Sequence, residues 1–314
     1  MTRVSKVLVV FLFLIQMERT YGQQDPQYSQ YMFNTLAVNP AYAGSREVVS
    51  ATALYRKQWV NTPGSPSTGT FSIDAPFKRE KIGLGLVVFN DKIGVTNTTG
   101  MNVSYAFRIR LNKGTLALGL QGGFSQLKQN LTSVVLDQNS TYDEAFATNV
   151  NKFLPNFGAG VYYNTDRFYI GVGLPRVIND KLYNNNSNGN TYVSFNSYQT
   201  RQLFVMSGCV IPISQDVKLK PSTLIKMTGG APVEFDLNTN VWFYDAIAAG
   251  VSYRTSAGTF VSMIEIQATK QIRVGYAYDL SVGKVRLVGQ NTHEIMARYE
   301  FGYVKAKILS PRYF

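Results

Sequence analysis

The chain has 314 residues, of which 45% are hydrophobic and 16% are charged, and its formal net charge is +12. Its single cysteine, Cys209, excludes disulfide bonds within the chain. Its 20 Tyr and 19 Phe exceed what a soluble β-sandwich needs. Outer-membrane barrels require such residues for the aromatic girdles at both membrane interfaces, so the composition favours a barrel.

The N-terminus is predicted to be a cleaved signal peptide, residues 1–22. Arg3 and Lys6 form its basic region, residues 7–15 its apolar region and residues 20–22 its cleavage site. The apolar region is too short for a spanning helix, which needs about 20 residues. The mature chain is therefore expected to be exported.

Residues 23–47 precede the first predicted strand and combine turn residues with aromatic ones. Such a segment cannot lie against lipid unless its backbone polar groups are satisfied. We expect a short helical or irregular plug, on the periplasmic side or in the lumen, and a disordered tail is the alternative. The residues expected to contact the inner wall or a partner are Tyr28, Tyr31, Met32, Phe33, Asn39, Pro40 and Tyr42.

From residue 48 to residue 314, segments of about ten residues alternate between apolar and polar side chains, which is typical of transmembrane β-strands. In residues 101–111, every odd-numbered position is apolar or aromatic, and every even-numbered position is Asn, Ser, Ala or Arg. The sequence predicts an all-β, antiparallel up-and-down barrel of about 14 strands. The predicted strands are 48–59, 67–75, 82–90, 99–111, 115–126, 155–164, 167–174, 200–211, 217–227, 233–243, 246–255, 258–268, 271–281 and 292–303.

The lengths of the connections agree with an even number of strands. The two long loops, 127–154 and 175–199, follow strands five and seven, whereas connections after even-numbered strands, such as 164–167, are short turns. Bacterial barrels have long loops on the outer side and short turns on the periplasmic side, so this parity is the one expected.

The same alternation places charged side chains on the inward face. On the lipid side, a basic residue at mid-depth would cost ~2 to 4 kcal/mol. The luminal polar residues predicted in this way include Arg56, Gln58, Arg254, Arg273 and Glu294. This placement accounts for the positive charge, and no nucleic-acid partner is predicted because no RNA-binding, zinc-finger or helix-turn-helix motif is present.

Motifs for catalysis and for cofactor or metal binding are not found. His293 is the only histidine, and its surroundings lack the second histidine of an H-E-x-x-H zinc site. The glycine pairs 83/85, 158/160 and 171/173 do not open helices as phosphate-binding loops do, and are interpreted as inward positions of a curved sheet. We therefore predict no enzymatic activity, no cofactor, no metal and no small-molecule substrate.

Several sequence blocks resemble the PorP/SprF family of the type IX secretion system of Bacteroidetes-type outer membranes. The blocks are QDPQYSQY from Gln24, NPAYAG from Asn39, YRKQW from Tyr55, KPS from Lys220, FDLN from Phe235, GVSYR from Gly250, RVGYAYD from Arg273, HEIM from His293 and SPRYF from Ser310. They occur in the family's order over the whole mature chain. The sequence departs from the family pattern at Thr35, where proline is expected, and at Ala297, where a larger aliphatic residue is usual.

The resemblance implies an integral outer-membrane barrel that works either as a core component of the translocon or as the dedicated partner of a very large secreted adhesin. In the second role, the barrel would help to export the adhesin and hold its C-terminal sorting domain at the cell surface, as in gliding motility. The implied partners are secretion components or the adhesin, together with outer-membrane lipid. A passive porin with a basic lumen is the alternative function, and a hydrolase that uses His293 is the third.

Overall fold

The computed structural model describes residues 27–77, 80–134, 146–178, 180–182, 197–199, 201–229, 231–256, 258–283 and 291–301. The predicted signal peptide, the C-terminal block from Ser310 and the central parts of the two predicted long loops lie outside these residues. No helix in the described part of the chain is long and apolar enough to cross a membrane.

The described chain is built almost entirely from strands. They are β1 Val49–Lys57, β2 Ser67–Phe77, β3 Ile82–Ile93, β4 Thr96–Leu111, β5 Gly114–Gln129, β6 Val150–Asn164, β7 Phe168–Leu174, β8 Asp180–Leu182, β9 Ser197–Gln199, β10 Gln202–Cys209, β11 Ile211–Pro212, β12 Val217–Thr228, β13 Glu234–Phe243, β14 Ile247–Arg254, β15 Thr259–Gln267, β16 Ile272–Ser281 and β17 Asn291–Phe301. Short 3₁₀ turns occur at Tyr31–Phe33, Thr35–Ala37, Pro40–Tyr42 and Leu131–Ser133.

The main sheet closes into an antiparallel barrel of fourteen strands, as predicted. The first strand, β1, pairs with both β2 and β17, and β10 pairs with both β7 and β12. The short β11 continues β10 along β12, and β8 and β9 form a separate two-stranded sheet. Closure leaves no open edge, which satisfies the rule that backbone polar groups in a bilayer must be hydrogen-bonded within the protein.

Side chains alternate between the outer surface and the interior in the predicted register. In β4, the side chains of Val103 and Phe107 are 52% and 47% exposed, whereas Ser104 and Ala106 are both fully buried. Large apolar residues such as Phe71 and Ile264 are exposed in the same way on other strands. The outer surface is therefore an apolar band suited to lipid.

Some strand boundaries differ from those predicted. β5 continues to Gln129 and β6 begins at Val150, so both strands are longer at the loop side than predicted. Backbone pairing continues above the lipid, where polar side chains give no alternation signal. In contrast, β1 ends at Lys57 because Trp59 has a left-handed backbone, with φ of 47°, that a strand cannot adopt. The predicted strand 48–59 therefore extends two residues too far at its C-terminal end.

The two ends of the barrel differ in their connections. The connections after β1, β3, β5 and β7 lie at one end, which we call the loop end, and the two longest of them follow β5 and β7. The turns after β2, β4, β6, β13 and β15 lie at the opposite, short-turn end. The predicted parity of long and short connections is confirmed.

A charge on the outer surface should destabilise the barrel. Leu237 lies in the middle of β13 and is 53% exposed. Leu237→Arg is expected to lower the free energy of unfolding in lipid vesicles by about 2 to 4 kcal/mol, because the guanidinium would face hydrocarbon. Leu237→Ile is the control. Equal free energies of unfolding for the two variants, measured by denaturant titration, would contradict a lipid-facing position.

Candidate functional site

The segment before β1 is shaped by its Asn39-Pro40 pair. The side-chain oxygen of Asn39 accepts a hydrogen bond from Ala41 N at 3.0 Å, and Pro40 begins the third 3₁₀ turn. Proline suits this place, because its fixed φ matches the turn and its missing N–H removes no bond. Asn39 Nδ2 also donates to the carbonyl oxygen of Val161 in β6 at 3.0 Å. The pair thus bends the segment and ties it to the barrel wall.

The apolar side chains of the segment pack on inward-facing residues of the strands. The cluster contains Tyr31, Met32, Phe33, Leu36, Val38, Ala41, Tyr42 and Ala43 from the segment and Val87, Ala106, Ala117, Tyr162, Tyr169, Phe204, Met206, Leu224 and Met296 from the wall. Tyr42 meets Tyr162 edge to face, with ring centroids 5.4 Å apart. The hydroxyl of Tyr31 donates to Ser222 Oγ at 3.4 Å.

Inward-facing glycines make the space that the segment fills. A Cβ at Gly119 in β5 would overlap the backbone of Ala41, and a Cβ at Gly173 in β7 would overlap the carbonyl oxygen of Val38. A Cβ at Gly83 would also overlap the backbone of the segment, and one at Gly85, Gly160, Gly171 or Gly275 would overlap its side chains. These positions therefore do more than allow curvature, because a side chain at any of them would occupy the place of the segment.

A group of charged side chains surrounds Ser29 near the loop end. We call it the loop-end cluster, and its members are Ser29, Arg56, Glu234, Asp236, Arg254, Asp279 and Glu294. Arg56 donates to Asp279 Oδ2 at 2.7 Å and to Glu294 Oε2 at 3.0 Å. Arg254 Nε donates to Asp236 Oδ1 at 2.9 Å. All seven residues are buried.

The N-terminal segment is hydrogen-bonded directly into this cluster. The backbone N–H groups of Ser29 and Gln30 donate to the two oxygens of Glu294 at 2.9 Å and 2.7 Å. The Ser29 hydroxyl donates to Asp279 Oδ2 at 2.7 Å and accepts from Arg56 Nη1 at 2.7 Å. Buried ions are costly unless they are paired and fully hydrogen-bonded. The segment therefore adds hydrogen bonds to the charged groups of the cluster, and the cluster holds the segment.

A second set of contacts holds the segment near the short-turn end. Gly44 has a left-handed backbone, with φ of 71°, and its N–H donates to Asp74 Oδ2 at 2.8 Å. Its carbonyl oxygen accepts a hydrogen bond from Arg108. Arg46 Nε donates to Glu300 Oε1 at 2.7 Å. A residue with a Cβ would be strained at position 44, so glycine is required there.

The predicted contact residues of the segment lie in two environments. Tyr31, Met32, Phe33, Asn39, Pro40 and Tyr42 are buried. Tyr28 is half-buried, and its hydroxyl lies 2.9 Å from Thr70 Oγ1 in β2. Tyr28 is therefore the only one of the seven that is partly exposed to solvent.

The predicted luminal residues do not form a single site. Arg56, Arg254 and Glu294 meet in the loop-end cluster. Arg273 lies elsewhere on the wall, where its guanidinium is 4.6 Å from the centre of the Trp242 ring. Gln58 lies beyond the end of β1 and is half-buried. Three of the five residues thus lie together, and Arg273 and Gln58 lie apart from them.

The inward register predicts Asp279 as a luminal acid, but sequence reasoning did not single out Ser29 or the role of Gly119. Ser29 gives no such signal, because its partner Asp279 is 250 positions away and nothing in the local pattern marks the contact.

The remaining titratable residues do not form a metal-binding group in the part of the chain that the structure describes. No three His, Cys, Asp or Glu side chains there are arranged to hold a metal ion. His293 Nδ1 lies 2.6 Å from the hydroxyl of Tyr276, and Tyr278 packs against the same ring. The histidine thus belongs to a cluster of aromatic side chains.

The closed sheet and its apolar outer band define an integral outer-membrane β-barrel. The chain belongs to the family of the type IX secretion system membrane protein PorP/SprF, whose family model matches residues 20–299. It is therefore a membrane component of type IX secretion and lies in the outer membrane. No curated protein matches the sequence.

Solved structures of outer-membrane proteins are similar to this chain at low sequence identity. The toluene transporter TbuX of Ralstonia pickettii is 12% identical, with a TM-score of 0.52 over 84% of this chain and 92% of TbuX. The outer membrane protein Omp33 of Acinetobacter baumannii is 10% identical, with a TM-score of 0.45 over 81% of this chain and 96% of Omp33. The likeness to TbuX supports the barrel fold alone.

Adding a methyl group to the inner wall should disturb the segment. Gly119→Ala is expected to lower the free energy of unfolding in detergent by about 1 to 3 kcal/mol, because the new Cβ overlaps the backbone of Ala41. Gly122→Ala is the matched control on the same strand, since nothing lies within 4 Å of a Cβ there. If both variants unfold at the same denaturant concentration, the segment does not fill the space beside Gly119.

Removing one charge from the loop-end cluster should be costly. Glu294→Gln is expected to lower the free energy of unfolding by about 3 kcal/mol, because Arg56 loses a buried partner. Glu80→Gln is the control, since Glu80 pairs with Arg110, whose side chain is 68% exposed, and such pairs contribute about 1 kcal/mol or less. Denaturant titration of both variants tests the difference, and equal losses would contradict a cohesive buried cluster.

Proposed function

We propose that this protein is a non-enzymatic secretion barrel that helps to export a partner protein and to anchor it at the cell surface. The proposed partner is another type IX secretion component or a large secreted adhesin with a C-terminal sorting domain, as in gliding motility. The observation that carries the proposal is that residues 27–46 pack against the inner wall along the barrel. A barrel filled in this way is suited to protein contacts and not to solute passage.

In this proposal, the N-terminal segment acts as a plug. Its support comes from three kinds of contact: the glycines that face the segment, the loop-end cluster and the contacts of Gly44 and Arg46 at the short-turn end. A barrel of about 14 strands encloses more space than its own side chains fill, since ~8 strands already give a filled interior. A plug removes that space without any change in the strands.

Partner contacts are proposed at the loop end. A closed barrel offers no strand edge, so a protein partner has to bind loops, the mouth of the lumen or the plug. A small pocket opens there, lined by Gln27, Tyr28, Tyr31, Val38, Phe204, Leu224, Lys226, Glu234, Asp236 and Arg254. Of the predicted contact residues of the segment, the half-buried Tyr28 is the one proposed to reach a partner, and the buried ones are proposed to hold the plug.

Two observations favour this role over the alternatives. The loop-end cluster contains four carboxylates and two guanidinium groups, so this end of the lumen does not favour anions as a basic porin would. His293, on β17, packs against Tyr276 and Tyr278 of β16. Its side chain is in the register opposite to the inward Thr292 and Glu294. Its position supports a structural role at the membrane interface and not a role as a catalytic base.

Conductance in planar bilayers separates a plugged barrel from a porin. The full-length protein is expected to be electrically silent, and a variant lacking residues 23–44 is expected to conduct, because the deletion empties the lumen. Gly119→Ala serves as a milder second variant with brief openings, and Gly122→Ala should stay silent. A steady open pore in the full-length protein would support the porin and contradict the plug.

Shortening the long loops tests the partner role. Variants trimmed separately within 127–154 and within 175–199 are expected to form folded barrels that retain less of the adhesin at the cell surface, measured by antibody labelling of intact cells. Folding is checked by the shift in gel mobility on heating that outer-membrane barrels show. Unchanged retention in both variants would reject the loops as the partner site.

A further inference from the structure

The N-terminal segment runs through the barrel in one direction. Ser29 contacts Arg56, the second-last residue of β1, and Asp279, the third-last residue of β16. Both strands end at the loop end. Gly44 contacts Asp74 and Arg108, which lie near the ends of β2 and β4 at the short-turn end. The chain therefore passes from the loop end at residue 29 to the short-turn end at residue 44, and then enters β1.

The first described residues lie at the mouth of the lumen. Gln27 Nε2 donates to Glu234 Oε1 at 3.4 Å, and Glu234 is the first residue of β13 at the loop end. Gln27 and Tyr28 are half-buried and line the small pocket, whereas Ser29 and Gln30 are buried. Because residues 31–43 pack against the wall below this point, the described part of the segment begins at the loop end of the lumen.

We propose that the mature N-terminus is displayed on the outer face of the membrane, having reached it through the lumen. Outer-membrane barrels place their long loops outside and their short turns in the periplasm, which makes the loop end the outer end. Gln27 and Tyr28 then lie at the outer mouth of the lumen. In this topology the mature N-terminus is reached from outside the cell and not from the periplasm.

This topology differs from the simplest expectation for a plug. An N-terminal plug inserted from the periplasm would leave its first residue at the short-turn end and would need a return of the chain to reach β1. Here the segment crosses the barrel once, so that its last residues lie beside the start of β1 and its first residues lie beside the end of β1. The inference rests on this crossing and is independent of which partner the barrel serves.

Cysteine accessibility in intact cells tests the proposal. Cys209→Ser gives a cysteine-free background, and Asp25→Cys places a thiol two residues before the first described residue. Ser133→Cys, in the exposed part of the connection after β5, is the outer control. Asp166→Cys, in the exposed turn between β6 and β7, is the periplasmic control. A membrane-impermeant maleimide is applied before and after permeabilisation of the outer membrane.

Asp25→Cys is expected to react in intact cells as fully as Ser133→Cys, while Asp166→Cys reacts only after permeabilisation. Labelling of Asp25→Cys that requires permeabilisation, or that requires denaturation, would overturn the proposal. Either result would leave the secretion role itself untouched, because the loop-trimming experiment reads partner retention and not the position of the N-terminus.

Discussion

A fourteen-stranded barrel cannot fill its interior with its own inward side chains, and this constraint governs the rest of the molecule. Filled barrels have about eight strands, and wider ones hold water or another part of the chain. Here residues 27–46 lie in the interior, with apolar side chains against the wall of β3 to β7, β10, β12 and β17. The outer apolar band and the closed backbone ladder allow the barrel to hold this segment within the membrane.

The interior is held by two complementary kinds of contact. On one side, glycines such as Gly119 and Gly173 let the backbone of the segment approach the strands, which gives dense packing without large side chains. At the loop end, the charges of Arg56 and Glu294 are satisfied in part by the segment itself. Buried charges tolerate no loss of a partner, so this end fixes the position of the segment more strictly than apolar packing alone could.

Most of the fold could be predicted from the sequence, because lipid outside and polar groups inside impose a period of two on every strand. Residues 101–111 carry that period without interruption, and the structure follows it. The ends of strands were less predictable. Counting along β1 would place Trp59 in the outward register, but its backbone is left-handed and β1 ends two residues earlier, at Lys57. Local backbone geometry of this kind has no signature in side-chain alternation.

The candidate site was predictable only in part, for a different reason. Aromatic residues such as Tyr31 and Tyr42 mark a segment that needs burial, and the inward register marks Arg56 and Glu294 as luminal. Neither pattern tells which of these residues meet, because the contacts of Ser29 join positions about as far apart as the chain allows. The direction in which the segment crosses the barrel follows from these contacts, and it could not be read from the sequence.

The most direct test of the account is hydrogen exchange of the backbone amides of residues 29–43 in the full-length protein in lipid nanodiscs. The account predicts that these amides exchange as slowly as those of the barrel strands, because the amides of Ser29 and Gln30 are bonded to a buried carboxylate and the rest lie against the wall. Exchange as fast as in an unstructured peptide would contradict it, because the segment would then be a mobile tail and the interior would be open.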